Sequence, residues 1–246
     1  MKSTDYARKA GTKIIATLGP ASCKLRQIER LVEAGATGFR LNFSHGGYDF
    51  VKEVISTIRT AEKKLNLYIP IMQDLQGPKI RLNNFTKDLL IKDGEQMSFG
   101  LCKSSDQNTS KICIVYPKLA KESKAGDKIF IDDGKIELKI RKVNNDSIDT
   151  DVIKGGLLLP RKGVNLPHSK LSIPSLTEKD IRDLEFGSKY EMDYIALSFA
   201  RTAQDIRHLR TLMKKFKYPA CVIPKIEKPE AIQNLEKSFA DARQRA

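Results

Sequence analysis

The first eighty residues switch repeatedly between two hydrophobic periods. Lys13 to Leu18 is a strand-like apolar run that stops at Gly19-Pro20. Arg26 to Ala34 carries apolar side chains at Ile28, Leu31 and Val32, a helical spacing, and Gly35 closes it. A second strand is predicted around Arg40, then a longer helix with Val51, Val54, Ile55 and Ile58 on one face. Tyr68 to Met72 runs extended into Gln73-Asp74-Leu75-Gln76-Gly77-Pro78. Strand, helix, strand, helix, strand in this order implies right-handed crossovers and a parallel sheet.

Beyond Pro78 the texture changes. Residues 79–168 hold short β-like runs, such as Ile129-Phe130-Ile131 and Ile136 to Ile140. Turn signals at Asp93-Gly94, Asp132-Asp133-Gly134, Asn144-Asn145 and Gly155-Gly156 break them up. Only Lys118 to Ser123 has a short helical texture. A small all-β domain inserted into an α/β one is the reading. The βα alternation then resumes. A capping box is expected at Ser175 to Glu178, opening a helix through Tyr190. Strands are expected at Tyr194 to Phe199 and Ala220 to Glu227, with a helix from Gln204 to Phe216 between them. A last helix is expected from Pro229 to about Lys237. The expected domains are thus 1–78, 79–168 and 169–246, the first and last forming one body. A (β/α)8 barrel takes about 250 residues, so the portion outside the insert suffices for about five βα units. The expected fold class is α/β of the (β/α)8 TIM-barrel type, truncated after about five units, with an inserted small all-β domain.

Composition narrows the class of molecule. The chain has 246 residues, 40% hydrophobic and 30% charged, which describes a globular protein with ample length for a core. No apolar stretch approaches membrane-helix length, and no apolar region follows the charged N-terminus as in a secretory signal. Cys23, Cys102, Cys113 and Cys221 show no CxxC spacing, so reduced thiols in a cytoplasmic protein are the simplest account. The net charge of +14 fits phosphorylated metabolites as well as polyanions. The lysines are spread along the chain without interleaved aromatics, and there is no tryptophan, so neither nucleic acid nor membrane is the expected partner.

Candidate chemistry concentrates at the predicted strand ends, where βα barrels carry their functional groups. Alternation along Phe39-Arg40-Leu41-Asn42-Phe43-Ser44 puts Arg40, Asn42 and Ser44 on one face of a strand. A cation, an amide and a hydroxyl in a row suit a phosphate or carboxylate. Lys225 and Glu227 are two apart and would likewise share a face. A lysine can neutralise charge on a transferring phosphoryl group, and a glutamate can ligate Mg²⁺. Gly19, Asp74 and Ser198 lie at the other predicted strand ends. Against each stands a plainer account: a surface arginine, a same-face salt bridge, and a hairpin turn for Asp132-Asp133-Gly134.

These segments together resemble the pyruvate kinase family. The similarity runs through KIIATLGPAS at 13–22, GFRLNFSHG at 38–46, DLQGPKIR at 74–81, DDG at 132–134, KGVNLP at 162–167, LTEKD at 176–180, ALSFAR at 196–201 and PKIEKPEAIQNLE at 224–236. RLNFSHG and KGVNLP in this order are highly specific; DDG or LTEKD alone would mean little. The resemblance implies a (β/α)8 A domain with a β-rich B-domain lid after the third strand. It implies transfer of a phosphoryl group from phosphoenolpyruvate to ADP, giving pyruvate and ATP, with Mg²⁺ or Mn²⁺ as cofactor. Arg40 would bind the phosphate, Lys225 would stabilise the charge in flight, and Glu227 would ligate the divalent metal. His45, Arg81 and Lys162 would contact nucleotide phosphates. Asn42, Ser44, Asp74 and the Leu75 carbonyl correspond to the family's monovalent-cation position, and full-length members are homotetrameric.

Two departures modify those expectations. Potassium-dependent members read DTKGPEIR where this chain has Asp74-Leu75-Gln76-Gly77-Pro78-Lys79-Ile80-Arg81. Lys79 replaces a glutamate, and an ammonium there could do the work of a bound K⁺. K⁺ is therefore not an expected requirement. After Leu235 the sequence does not continue into the family's ARGDLG motif, whose aspartate is the second metal ligand. The expectation is little or no turnover by the isolated chain. The alternative is an inactive fragment that binds phosphorylated ligands or another chain.

Overall fold

A computed structural model describes residues 11–44, 46–103, 110–167, 169 and 171–236. The expected contact of His45 and the expected end of the last helix at Lys237 lie outside the described residues.

The first elements are β1 (Ile15–Leu18), α1 (Leu25–Glu33), β2 (Gly38–Asn42), α2 (Tyr48–Leu65) and β3 (Ile71–Asp74). Helix α2 buries Val51, Val54, Ile55, Ile58 and Ala61 along one stripe and stops where Asn66 turns left-handed, at φ 52°. Every residue of β3 is buried, including Gln73 and Asp74, as befits a parallel strand covered on both faces.

The next elements are β4 (Leu89–Ile91), β5 (Gln96–Leu101), β6 (Cys113–Ile114), α3 (Leu119–Glu122), β7 (Lys128–Ile131), β8 (Ile136–Val143), β9 (Ser147–Lys154), β10 (Gly156–Leu158) and β11 (Val164–Asn165). A six-stranded sheet has the order β11-β7-β8-β9-β5-β6, and β4 pairs with β10 in a separate ribbon. Between β7 and β8 the turn places Asp133 and Gly134 at φ 57° and 87°, which is why an Asp-Gly pair occupies it.

The chain continues with α4 (Glu178–Gly187), β12 (Tyr194–Leu197), α5 (Ala203–Lys215), β13 (Cys221–Pro224) and α6 (Pro229–Gln233). The α4 capping box is formed by Thr177 and Asp180, not by Ser175 and Glu178. Asp180 is three residues beyond the cap and accepts the Thr177 N–H, whereas Ser175 is buried.

Strands β1, β2, β3, β12 and β13 lie side by side in that order, all parallel. Parallel strands that neighbour one another in chain order, with helices between them, form the wall of a TIM-type barrel. Contacts divide the chain into two compact units, residues 1–78 with 174–246, and residues 79–173. Each has its own core. The first gathers Ile28, Phe39, Ile58, Ile71, Ile195 and Tyr218 among others. The second gathers Phe99, Ile114, Ile129, Leu138, Ile148 and Leu166. No helix among the described residues is long and apolar enough to cross a membrane.

Candidate active site

Asp74 is the hub of the strand ends. It closes β3 and is only 2% exposed, a costly place for a carboxylate unless cations compensate it. Two do. Arg40 on β2 approaches Oδ2 with Nε at 2.8 Å and Nη2 at 2.7 Å. Lys225 Nζ is 2.9 Å from Oδ1, an ion pair by distance whose angle is not that of an aligned hydrogen bond. The register explains the convergence: Asn42 and Ala196 both pair with Asp74, so β2, β3 and β12 end nearly level with one another.

The surrounding groups extend the cluster. Lys225 Nζ is also 3.6 Å from Glu227 Oε1, while Glu227 Oε2 accepts the Phe199 N–H at 2.9 Å. Arg40 Nη1 donates to Thr17 Oγ1 of β1 at 3.3 Å. Ser198 Oγ, just past β12, donates to the Leu75 carbonyl at 2.5 Å. Arg40 and Lys225 remain about one-third exposed while Asp74 is buried, so the carboxylate braces two cationic heads that still face solvent. Such a pair is preorganised for an anion with several oxygens.

Two strands predicted from alternation end earlier than expected. Strand β2 stops at Asn42, and Ser44 lies in a turn where its N–H donates to Asn42 Oδ1 at 2.9 Å. Ser44 therefore does not continue the Arg40 face of the strand. Strand β13 stops at Pro224, so Lys225 and Glu227 are not strand neighbours. The Lys225 N–H still donates to Leu197 O at 3.0 Å, one residue past the strand. The two side chains nonetheless come within 3.6 Å of each other, as the same-side expectation had it. Thr17 is not singled out by sequence reasoning, because only its pairing with Arg40 across β1 and β2 reveals it.

The remaining named residues belong to the second unit. Arg81 Nη1 donates to Arg161 O at 2.9 Å, and Arg81 bridges Gly163 in antiparallel register. Lys162 Nζ is 3.0 Å from Asp132 Oδ1, and Lys135 holds Oδ2 at 2.7 Å. Hydrogen bonds to Lys135 and then Lys162 hold the Asp132 carboxyl below its usual range. Lys79 opens this unit.

Three of the oxygens expected at a monovalent-cation position are engaged internally. Asn42 Oδ1, Asp74 Oδ2 and the Leu75 carbonyl each receive a protein donor. For a divalent ion, no group of three or more His, Cys, Asp or Glu among the described residues could hold it alone. Mg²⁺, however, keeps several waters and uses one or two carboxylates plus substrate oxygens. Glu227, with Oε1 only loosely paired, fits that minimal donor set.

The strand order and the charged side chains gathered at the strand ends define a βα-barrel protein of the TIM type. Comparison with known proteins narrows the class. The family model described as pyruvate kinase, barrel domain, matches residues 8–243. A pyruvate kinase of Corynebacterium glutamicum is 40% identical over 226 residues, covering 92% of this chain and 47% of that protein. Pyruvate kinase 2 of a Synechocystis species is 41% identical over 242 residues, covering 96% and 40%. A Staphylococcus epidermidis pyruvate kinase is 36% identical over 227 residues, covering 92% and 39%. The chain belongs to the pyruvate kinase family, and it spans less than half the length of these relatives.

Proposed function

We propose that this chain provides the phosphoenolpyruvate-binding wall of a cytoplasmic pyruvate kinase, which passes a phosphoryl group to ADP and releases pyruvate and ATP. The observation that carries the reading is the Arg40–Asp74–Lys225 cluster. Arg40 takes the phosphate oxygens of phosphoenolpyruvate. Lys225 stands against the charge that builds on the phosphoryl group in transit, where catalysis is mainly positioning and charge stabilisation. Glu227 holds Mg²⁺ or Mn²⁺ together with substrate oxygens and water, and the ion, when bound, adds positive charge at the phosphoryl oxygens. Arg81 and Lys162 contact the nucleotide phosphates. In this reading K⁺ is not required. Support comes from Lys79 in place of glutamate, and from Asn42 Oδ1, Asp74 Oδ2 and the Leu75 carbonyl, three of the oxygens at the cation position, each of which accepts a protein donor.

A second reading, binding without turnover, is favoured by the acidic inventory. Asp74 is committed to its two cations, which leaves Glu227 as the carboxylate of the cluster open to a metal. Calorimetric titration of the purified chain with phosphoenolpyruvate and Mg²⁺, beside a coupled assay for pyruvate, separates the two. Both expect binding; little or no pyruvate is expected from the chain by itself, and pyruvate formed in step with Mg²⁺ would decide for turnover. Arg40→Met and Lys225→Met should each weaken binding about tenfold or more, the worth of one charge-assisted contact at about 1.5–3 kcal/mol. Unchanged affinity in both variants would remove the cluster from the site. In the same titration, exchanging Na⁺ for K⁺ should alter affinity by less than about twofold, well under about 1 kcal/mol.

A further inference from the structure

The LTEKD segment and the helix it opens have no part in the chemistry above, yet they carry the most deeply buried carboxylates among the described residues of the first unit. Asp180 and Asp183 are both 0% exposed. Both project from α4, and each is tied to a loop that carries candidate site residues.

Lys179 Nζ donates to the Phe43 carbonyl at 2.6 Å and to Asp183 Oδ2 at 2.6 Å. Phe43 is the residue between Asn42 and Ser44. Asp183 Oδ1 accepts from the Tyr48 hydroxyl at 2.9 Å, and Tyr48 opens α2 at the far end of the same loop. The Tyr48 ring stacks on Phe186 of α4 with centroids 4.4 Å apart. Asp180 Oδ1 accepts the Gly77 N–H at 3.1 Å, two residues past Leu75. The Asp183 main-chain carbonyl accepts from Gln73 Nε2 at 2.7 Å, immediately before Asp74. One helix therefore fixes a main-chain group in each of the loops that follow β2 and β3.

Docking the helix does not need all of this: one oxygen of Asp180 serves the cap at Thr177, but its other oxygen and the whole of Asp183 are used beyond the helix end. A buried carboxylate costs desolvation, and at Asp183 an apolar side chain of the same volume would hold α4 to the sheet at least as well. What apolar groups cannot do is dictate the direction of one carbonyl and one N–H. Burial pushes the Asp183 carboxyl up, against the opposing pull of Lys179 and Tyr48, so the charged form is held at a cost. We infer that Lys179, Asp180 and Asp183 are positioning residues that clamp the β2–α2 loop and the loop after β3 in the geometry the anion site requires. The consequence for ligand binding rests on the site reading above; the consequence for the loops does not.

The test uses the full chain with two readouts. Hydrogen exchange of the Gly77 amide reports the Asp180 contact directly, and that of the Phe43 and Ser44 amides, held by Asp74 O and Asn42 Oδ1, reports how firmly the clamped loop is ordered, with amides of β12 as the internal reference. Affinity for phosphoenolpyruvate reports its use. Lys179→Met should speed exchange at Phe43 and Ser44 about tenfold relative to β12 and weaken phosphoenolpyruvate binding by a similar factor. Lys179→Arg, which keeps a charged donor, should recover most of that affinity. Asp180→Asn, a weaker acceptor of the same shape, should speed exchange at Gly77. Asp183→Asn keeps the volume and removes a buried charge, so it serves where Lys179→Met fails to fold, and it should loosen Phe43 and Ser44. Loop exchange that keeps pace with β12 in the folded variants overturns the clamp. Wild-type chain that does not bind phosphoenolpyruvate overturns the site reading instead, and the exchange result then decides the clamp by itself.

Discussion

Asp132 and Gly77 show how single residues set conditions for their surroundings. Asp132 sits at φ 52°, a left-handed position, and its carboxylate bridges Lys135 and Lys162. Its folded-state pKa is depressed, so its stabilisation is present above the ordinary value of 3.8 and is lost as pH falls below it. Thermal melts across the acid range should show a steeper loss for the wild type than for Asp132→Asn, whose side chain tolerates the same backbone. Gly77 is at φ 67°, and a Cβ there would meet Ser198 Cβ at 2.8 Å, so the turn that presents its N–H to Asp180 has room for glycine alone. At this scale the site is partly legible in sequence. Arg40, Asp74 and Lys225 stand out because each lies at a predicted strand end within a specific run, GFRLNFSHG, DLQGPKIR or PKIEKPE. Thr17 does not, since nothing local to it encodes which residue lies beside it on the next strand.

Elements are legible where period and burial agree, and blurred at their ends. Helix α2 is recoverable from Val51, Val54, Ile55 and Ile58 because that stripe is the buried one. Alternation overstates β2 and β13, since it runs past the last ladder residue into Ser44 and Glu227. The pattern of side chains does not record where the neighbouring strand stops offering partners. The start of α4 turns on a similar choice between two hydroxyls. Thr177 is the cap because Asp180 stands three residues on and accepts its N–H at 2.8 Å. Thr177→Ala should destabilise the first unit by about 1 kcal/mol, measured by denaturant melts.

At the scale of the whole molecule, the change of texture at Pro78 marks a change of core. The two cores share no member, so unfolding should show two calorimetric transitions rather than one. Leu138 is 0% exposed in the second core, and Leu138→Ala should lower that unit's stability by about 2–5 kcal/mol while leaving the other transition in place. A single transition that moves as a whole would show the two cores to be thermodynamically one.

The insert also bears on how the barrel wall assembles. Strand β12 pairs with β3, although the whole second unit lies between them in the chain. The two ends of that unit are fastened to each other: Val164 N–H donates to Ile80 O at 2.9 Å, and Leu82 N–H donates to Lys162 O at 2.9 Å. Once the insert has folded, an excursion of about 120 residues behaves as a loop of roughly 35, which lowers the entropic cost of closing β3 onto β12 by about 1 kcal/mol. The order of folding therefore matters. An insert that folds first shortens the search for the pairing that unites the two halves of the wall, and one that folds late leaves that edge of β3 waiting.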